Sequence, residues 1–318
     1  MSTSPSSAAE VRDPVLQEGY RRCAELTREY GTTYFWGAAL LPRSRRRHVY
    51  AVYALCRLAD DIVDVPDDAD RDVAELTSRL AAFAGSFRTA LADGGSDDPV
   101  LAAVAQTVRA VEIEPECFDR FFGAMAMDLT TTSYRTWDDL LGYMEGSAAV
   151  IGEMMLPVLD PIAPAARQPA RSLGLAFQLT NFLRDVGEDL GYGRVYVPQE
   201  DLERFGADPA ERRVTPEWRA LMAFEVARNR QLYRAADAGI PLLPPRSARC
   251  VATARVLYAR ILDLIEQADG DVFGERLRVP TWRKAGMAAR IFVGGPSGAQ
   301  ARPGPAVAGP AGVDREVA

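Results

Sequence analysis

The chain is poor in the residue types that build several common catalytic sites. Its 318 residues include one histidine, His48, and four widely spaced cysteines, Cys23, Cys56, Cys117 and Cys250. One histidine cannot form a histidine-rich zinc site, and a Ser-His-Asp triad would have to use that residue. The cysteines form no CxxC pair, so we expect reduced thiols in a reducing compartment and no disulfide framework.

Positive charge and long apolar runs are also scarce. The formal net charge is −7, and a chain without a surplus of Lys and Arg is a poor binder of phosphate backbones, so we expect no nucleic-acid partner. No apolar run approaches the roughly 18–20 residues that a membrane span needs. The Ser/Ala/Pro-rich start lacks the basic and apolar regions of a secretory signal. We therefore expect a cytoplasmic protein.

Strand-like alternation is rare, whereas helical periodicity is frequent. Apolar residues recur at i, i+3, i+4 and i+7 within residues 51–62, 76–87, 173–182 and 256–265. The pattern predicts one all-α domain over residues 14–292, between disordered tails at 1–13 and 293–318. The Arg-rich run at 43–47, which leads into His48, is expected to be a solvated helix start. Contact with anionic lipid at a membrane surface is the alternative for this run.

The first group of residues with chemical potential is an aspartate cluster. Asp60 and Asp64 are four residues apart and share one helix face, and Asp61 lies beside them. Tyr53 and Arg57 extend that face backward at spacings of four. A solvated acidic surface is the alternative, but the flanking residues are apolar, which favours a functional site.

The second group lies more than a hundred residues later. Asn181, Asp185 and Asp189 stand at i, i+4 and i+8, with Gln178 one turn earlier and Arg184 beside them. Three oxygen ligands along one line of a helix, beside apolar residues, are poorly explained by solubility.

Two such stripes on facing helices point to a cation bound through oxygen. Oxygen ligands without histidine or cysteine select Mg²⁺, for which Mn²⁺ is an expected substitute. Arg57 and Arg184 each carry a planar fork that can bind a diphosphate oxygen pair. Metal and arginine together would stabilise a leaving diphosphate and promote its ionisation to an allylic cation.

At these residues the sequence resembles the squalene/phytoene synthase family. Residues 53–64 resemble the family's first aspartate-rich motif, and residues 173–189 resemble its second motif at every expected position. Residues 30–34 resemble the opening segment, and residues 191–198 resemble the loop that follows the second motif in phytoene synthases. The resemblance implies a single-domain, isoprenoid-synthase-type helical bundle around a central cavity.

The resemblance also implies roles for individual residues. Catalytic roles are implied for Tyr53, Arg57, Tyr143, Gln178 and Arg184. Substrate-binding roles are implied for Thr33, Tyr34, Asp128, Gly146, Ala149, Tyr258, Arg276 and Lys284. Metal ligation is implied for Asp60, Asp61, Asp64, Asn181, Asp185 and Asp189.

The sequence departs from the family pattern at two places. Residues 147–152 read Ser-Ala-Ala-Val-Ile-Gly where many members have Val-Ala-Gly-Thr-Val-Gly, which keeps small residues but weakens inference of chain length. Gly270 stands where an aromatic residue is expected, which bears on the nearby contacts Arg276 and Lys284.

The implied reaction joins two prenyl diphosphates head to head through a cyclopropylcarbinyl diphosphate. The loop at 191–198 and the Met-Asp-Leu sequence at 127–129 favour phytoene made from two geranylgeranyl diphosphates. No dinucleotide-binding unit is visible, so no NADPH is expected. The alternatives are a dehydrosqualene or squalene synthase, a terpene cyclase or head-to-tail elongase, and a non-catalytic prenyl-lipid-binding subunit. A non-catalytic descendant of the enzyme is expected to have lost carboxylates of the two motifs. This alternative is disfavoured because Asp60, Asp64, Asp185 and Asp189 are all present.

Overall fold

The computed structural model describes residues 13–64 and 72–280, and in these residues it is built from helices. The twelve α-helices that they form are α1 (Pro14–Tyr30), α2 (Thr32–Ala38), α3 (Arg43–Val63), α4 (Val73–Asp93), α5 (Pro99–Val111), α6 (Glu116–Met127), α7 (Trp137–Met144), α8 (Val150–Leu159), α9 (Arg167–Asp189), α10 (Gln199–Phe205), α11 (Pro216–Asp237) and α12 (Pro245–Gln267). A π-helical turn, Glu145–Ala149, joins α7 to α8. The all-α prediction is confirmed.

Several helices begin where the sequence supplies a cap. Asp13 and Asp98 each accept hydrogen bonds from two backbone N–H groups of the first turn, and each is followed by proline. Proline suits this position because its missing N–H would have no helical partner. At the start of α7, Thr136 and Asp139 form a reciprocal capping box. These starts are therefore set locally.

Helix α9 lies at the centre of the bundle and carries the second aspartate stripe. It packs against α8, α11 and α12, while α3, which carries the first stripe, packs against α1 and α5. Helix α8 contacts both α3 and α9. Helix α8 thus packs against both motif helices, which leaves room between them for a cavity.

Glycines bring the backbones around α9 into close contact. A Cβ on Gly174 would lie 2.2 Å from the carbonyl oxygen of Ala148, and one on Gly152 would lie 2.2 Å from that of Ala170. Only a residue without a Cβ permits such approaches. The glycines therefore set the distance between α9 and the segment from the π-helical turn into α8.

Replacing Gly174 by alanine is expected to destabilise the fold by about 1–3 kcal/mol or more, because the backbone atoms that its Cβ would meet cannot rotate away. Gly85→Ala is the matched control. Gly85 lies inside α4, and a Cβ added there would meet nothing within 4 Å, so the change should stabilise by roughly 0.5–1 kcal/mol. Urea unfolding of both variants measures the difference. Equal stability of the two would contradict the close-approach interpretation.

The arginine run at 43–47 and His48 are predicted to be a solvated helix start. This prediction is wrong for most of these residues. Arg46 donates hydrogen bonds to three carbonyl oxygens at the end of α2, and Arg45 donates to the carbonyls of Pro157 and Val158. His48 is 4% exposed, and its Nδ1 lies 2.9 Å from the Thr107 hydroxyl. The reason is that α3 packs against α1 and α5 within two turns of its start.

Burial and the adjacent arginines lower the pKa of His48 to about 4, so its ring is neutral near pH 7. All four cysteines are unpaired thiols, as expected. Among the described helices, none has the length and apolar character required to cross a bilayer. The N-terminal tail to residue 12, residues 281–292 of the predicted domain and the predicted C-terminal tail lie outside the described residues.

Candidate active site

Carboxylates of the two motifs are close enough for their charges to affect one another. Burial and the nearby charge of Asp64 raise the pKa of Asp60 to about 8. Burial, Asp185 and, more weakly, Asp64 raise the pKa of Asp189, also to about 8. Arg194 joins the ends of the two stripes, since its side chain donates to Asp64 Oδ1 at 2.9 Å and its backbone N–H donates to the Asp189 carbonyl at 2.9 Å. The like charges of these carboxylates are stabilised by a cation or by protons.

The buried amide of Asn181 supports a cation as the missing partner. Its Oδ1 is buried and has no hydrogen-bond partner among the described residues. An unsatisfied buried oxygen costs roughly 1–3 kcal/mol, so its retention calls for a ligand. Asn181 and the aspartates of the two motifs offer oxygen donors only, and such donors suit Mg²⁺ better than zinc or copper. The residues present therefore fit the divalent cation that the sequence predicts.

Asp185 is held by two arginines. Arg184 binds both of its carboxylate oxygens at 2.7 and 2.5 Å, and Arg276 binds the same two oxygens at 2.9 and 2.6 Å. Arg276 is thereby brought to the second motif from near the end of the described chain. The arrangement places two planar forks beside a candidate metal ligand, which is the chemistry required to bind a diphosphate next to a cation.

The first motif contains a second arginine–carboxylate pair, on a more exposed face. Arg57 forms an ion pair with Asp61 and lies over the ring of Tyr30, 4.5 Å from its centroid. Asp61 is 42% exposed at its side chain and follows Asp60, so it points away from the buried stripe. Ligation of a cation by Asp60, Asp61 and Asp64 stays a prediction.

A buried polar group lies beside the carboxylates. The hydroxyl of Tyr143 donates to Asp128 Oδ2 at 2.7 Å, and that of Tyr196 donates to Oδ1 at 3.3 Å. Burial raises the pKa of Asp128 to about 6, and the Tyr143 hydrogen bond opposes that shift. Asp128 is therefore largely ionised at neutral pH and fixes the orientation of the Tyr143 hydroxyl. The resemblance described above implies a role in the site for Tyr143 and for Asp128.

Aromatic rings line the space between the two motif helices. Tyr34 lies 5.6 Å from both Tyr53 and Tyr258 between ring centroids, and Phe177 stacks on Tyr258 at 4.3 Å. Thr33 precedes this group on α2. Their π faces suit a transient carbocation, since ring quadrupoles attract positive charge. Sequence reasoning misses Phe177, although its place one position before Gln178 is a signal that could have found it.

An apolar cavity of about 160 Å³ extends from these rings along α9. Tyr34, Phe177 and Gln178 contribute to its wall at the motif end. Further along it is lined by Gly152, Met155, Leu156, Leu159, Pro169, Leu173, Gly174, Ile240, Leu243 and Ala254. Since a helix rises about 1.5 Å per residue, the wall from Pro169 to Gln178 spans roughly 14 Å. Gln178, at one end of this wall, lies three residues before Asn181 on the same helix.

The segment of small residues at 146–149 also contributes to this wall, but through other residues than the predicted Gly146 and Ala149. Ser147 and Ala148 line the cavity, whereas Gly146 faces the Arg120 carbonyl on α6 and Ala149 packs against Gly174. The π-helical turn causes the difference, because its wider winding rotates the following residues relative to an α-helix. Direct substrate contact by Gly146 and Ala149 stays a prediction.

Among residues 13–64 and 72–280, one group of acidic and thiol side chains has ligand atoms close enough together to share a metal ion, and it contains no residue of either motif. Ligand atoms of Glu114, Cys117 and Glu153 lie within 4.8 Å of one another. However, three arginines bind Glu153: Arg120 at 2.6 Å, Arg167 at 2.7 Å, and Arg171. They already neutralise its buried charge, so this group is better explained as an ion-pair network between helices.

Two further residues bear on the predicted site. Lys284 lies outside the described residues. Arg194 has no role assigned from the sequence, yet it is 4% exposed and binds Asp64 at 2.9 Å. Its position directly after the second motif is the available signal.

The chain is similar in sequence and in fold to known proteins. The family model for squalene/phytoene synthase matches residues 27–283. The 15-cis-phytoene synthase of Synechococcus elongatus is 35% identical over 284 residues, which cover 85% of this chain and 91% of that protein.

Two solved structures share the fold. A dehydrosqualene synthase crystal structure has a TM-score of 0.79 at 26% identity, over 87% of this chain and 96% of its own. Squalene synthase HpnC from Alicyclobacillus acidocaldarius has a TM-score of 0.71 at 31% identity, over 81% and 97% of the two chains. Because the family model matches most of its length and a curated relative is 35% identical over 85% of it, this chain belongs to the squalene/phytoene synthase family.

Proposed function

We propose that this protein is a Mg²⁺-dependent phytoene synthase that joins two geranylgeranyl diphosphates head to head in carotenoid biosynthesis. The observation that carries the proposal is the polarity of α9. One end of this helix lines the apolar cavity from Pro169 to Gln178, and the next two to three turns carry Asn181, Asp185 and Asp189. A prenyl diphosphate has the same polarity along its length, with an apolar chain and an anionic end.

The reaction balances without a reductant. Two carbon–oxygen bonds break and release two diphosphates, and the two chains are joined through a cyclopropylcarbinyl diphosphate intermediate. Closing the cyclopropane ring releases one proton. Ionisation of this intermediate, rearrangement and loss of a second proton then give the central double bond. The related reaction that ends in squalene instead requires a hydride, which NADPH supplies. The 35% identity to a protein named 15-cis-phytoene synthase supports the ending by proton loss.

The chain's own residues have distinct tasks in this proposal. Asp60, Asp64, Asn181, Asp185 and Asp189 would hold Mg²⁺, which neutralises the charge of the leaving diphosphate. Arg57, Arg184 and Arg276 bind the diphosphate oxygens, for which they exchange their present carboxylate partners. The other predicted substrate contact near the C-terminus, Lys284, is proposed for the same task.

The remaining groups orient the substrates and protect the cation. Tyr143, fixed by Asp128, presents a hydroxyl to the reacting end, and Gln178 marks the boundary between cavity and carboxylates. Tyr34, Tyr53 and Tyr258 surround the allylic cation, and Thr33 lies beside them. A closed aromatic surface also excludes water, which would otherwise trap the cation as an alcohol.

The product class is tested by comparing substrates with purified protein and Mg²⁺. We expect kcat/KM for geranylgeranyl diphosphate to exceed that for farnesyl diphosphate, with no change on adding NADPH. Preference for farnesyl diphosphate without NADPH would reassign the protein as a dehydrosqualene synthase. A strict NADPH requirement would reassign it as a squalene synthase. The dehydrosqualene synthase that shares the fold makes this a necessary comparison.

The cellular setting is proposed on narrower grounds. The substrates carry long apolar chains, so brief contact with a membrane surface is compatible with the reaction. Arg43 is an exposed member of the arginine run and is the candidate for such contact. We propose a cytoplasmic enzyme with peripheral membrane contact.

A further inference from the structure

Arg194 is a buried arginine that joins three parts of the chain. Its Nη1 donates to Asp64 Oδ1 at 2.9 Å, and its Nη2 donates to the backbone oxygens of Val63 and Asp128 at 3.0 and 3.2 Å. Val63 ends α3, and Asp128 follows the last residue of α6. One guanidinium therefore ties together two helix C-termini, where unpaired carbonyls carry partial negative charge.

The segment that carries Arg194 is held in place by its backbone. Gly193, at φ +67°, reverses the chain after α9, and the Arg194 N–H donates to the Asp189 carbonyl at 2.9 Å. The Val195 N–H then donates to the Thr132 carbonyl at 2.8 Å, within an isolated parallel bridge between Ser133 and Val195. Arg194 is thus positioned before it meets its partners, which reduces the entropy that its side chain loses in the ion pair.

Within residues 13–64 and 72–280, Arg194 is the one hydrogen-bond partner of the Asp64 side chain. Asp64 is the residue at which α3 ends, and its side chain is 44% exposed. A carboxylate at a helix terminus and in contact with solvent can adopt several rotamers. The Arg194 contact uses Oδ1 and sets the direction of Oδ2, so it selects one orientation of this carboxylate.

We propose that Arg194 is a positioning residue that fixes Asp64, and the end of the first motif, for metal binding opposite the second motif. This inference rests on the proposed function, because it assigns Asp64 to the metal site. Arg194 itself touches neither substrate nor metal. It acts through Asp64, as partners of metal ligands commonly do.

The chain offers a matched control in Arg255. This residue is also 4% exposed and binds one carboxylate, Asp237, at 2.7 and 2.8 Å. The pair joins α11 to α12 and involves no residue of either aspartate motif. Arg255→Gln therefore measures what the loss of a buried ion pair does to stability alone.

The experiment measures binding of inorganic diphosphate by calorimetry over a series of Mg²⁺ concentrations. Arg194→Gln should raise the Mg²⁺ concentration needed for half-maximal binding by about 10- to 100-fold. Arg194→Lys should give a smaller rise, because an ammonium keeps the charge but cannot span the carboxylate and two carbonyls in the same planar geometry. It also provides a charged variant if the glutamine variant folds poorly. Arg255→Gln should lower the unfolding temperature without changing the Mg²⁺ requirement.

Two results would overturn the inference while leaving the proposed function intact. One is wild-type Mg²⁺ dependence in both Arg194 variants, and the other is an equal shift in Arg255→Gln. A wild-type protein that binds no diphosphate at any Mg²⁺ concentration would overturn the proposed function, and this inference with it.

Discussion

Asp60→Asn and Asp185→Asn are each expected to lower turnover by on the order of 10²–10³-fold or more while the helical bundle stays folded. An asparagine keeps the shape of the side chain but removes the negative charge that would hold Mg²⁺ against a diphosphate. Groups that stabilise charge in a transition state have effects of this size when they are removed singly. Product formation at saturating Mg²⁺, with circular dichroism as the check on folding, is the measurement.

The same Asp60→Asn change should not destabilise the metal-free protein. The pKa of Asp60 is raised from its ordinary 3.8 to about 8, so the folded state keeps a proton that the unfolded state loses. Folding stability from this group is therefore present at low pH and is lost as pH rises through about 8. In chelator, the unfolding temperature of the variant should equal or exceed that of the wild type, with the advantage growing toward pH 8.

Asp119→Asn is the control for this pair. Asp119 is 59% exposed at its side chain and pairs with Arg88 on the surface of the bundle. Its replacement should leave turnover unchanged and should show no growing stability advantage with pH. Near-wild-type product formation by folded Asp60→Asn or Asp185→Asn, with Mg²⁺ supplied, would refute the assignment of the metal site.

Arg184→Lys is expected to lower kcat/KM by roughly 10²-fold, close to the effect of Arg184→Ala. The guanidinium of Arg184 is 13% exposed and already forms a two-point contact with Asp185. A planar fork can bind two diphosphate oxygens together, whereas an ammonium is a single point charge. Retained charge should therefore not restore the rate.

The control variant is Arg219→Lys, in an exposed ion pair with Asp269. It should behave as wild type, since surface ion pairs contribute only about 0–1 kcal/mol. Steady-state kinetics of the Lys and Ala variants of Arg184 distinguish the contribution of the planar guanidinium shape from that of the positive charge. Full activity of Arg184→Lys would show that positive charge alone is required there.

The aspartate stripes are predictable because their information is local. Asp60 and Asp64, and likewise Asn181, Asp185 and Asp189, share a helix face through spacing alone. Apolar periodicity in the same segments makes both helices identifiable, and the expectation that one cation is shared between them predicts that the two stripes face each other. The resemblance to a known family then predicts the central cavity.

The features that sequence reasoning misses depend on contacts distant in sequence. Nothing near Arg194 indicates that it meets Asp64, 130 residues earlier. His48 follows an arginine run, and only the packing of α3 against α1 and α5 shows that it is buried. Ala148 lines the cavity and Gly146 does not, and the π-helical turn that contains both has no clear signature in composition. In each case tertiary packing decides the outcome.

The central claim, that two motif helices above an apolar cavity join two C20 diphosphates, has one direct test. Purified protein is incubated with geranylgeranyl diphosphate and Mg²⁺, without NADPH, and the extracted hydrocarbons are analysed by mass spectrometry. We expect a C40 hydrocarbon with the mass of phytoene, formed with release of two diphosphates per molecule. Recovery of only C20 alcohol, or of no hydrocarbon while the protein remains folded, would contradict the claim.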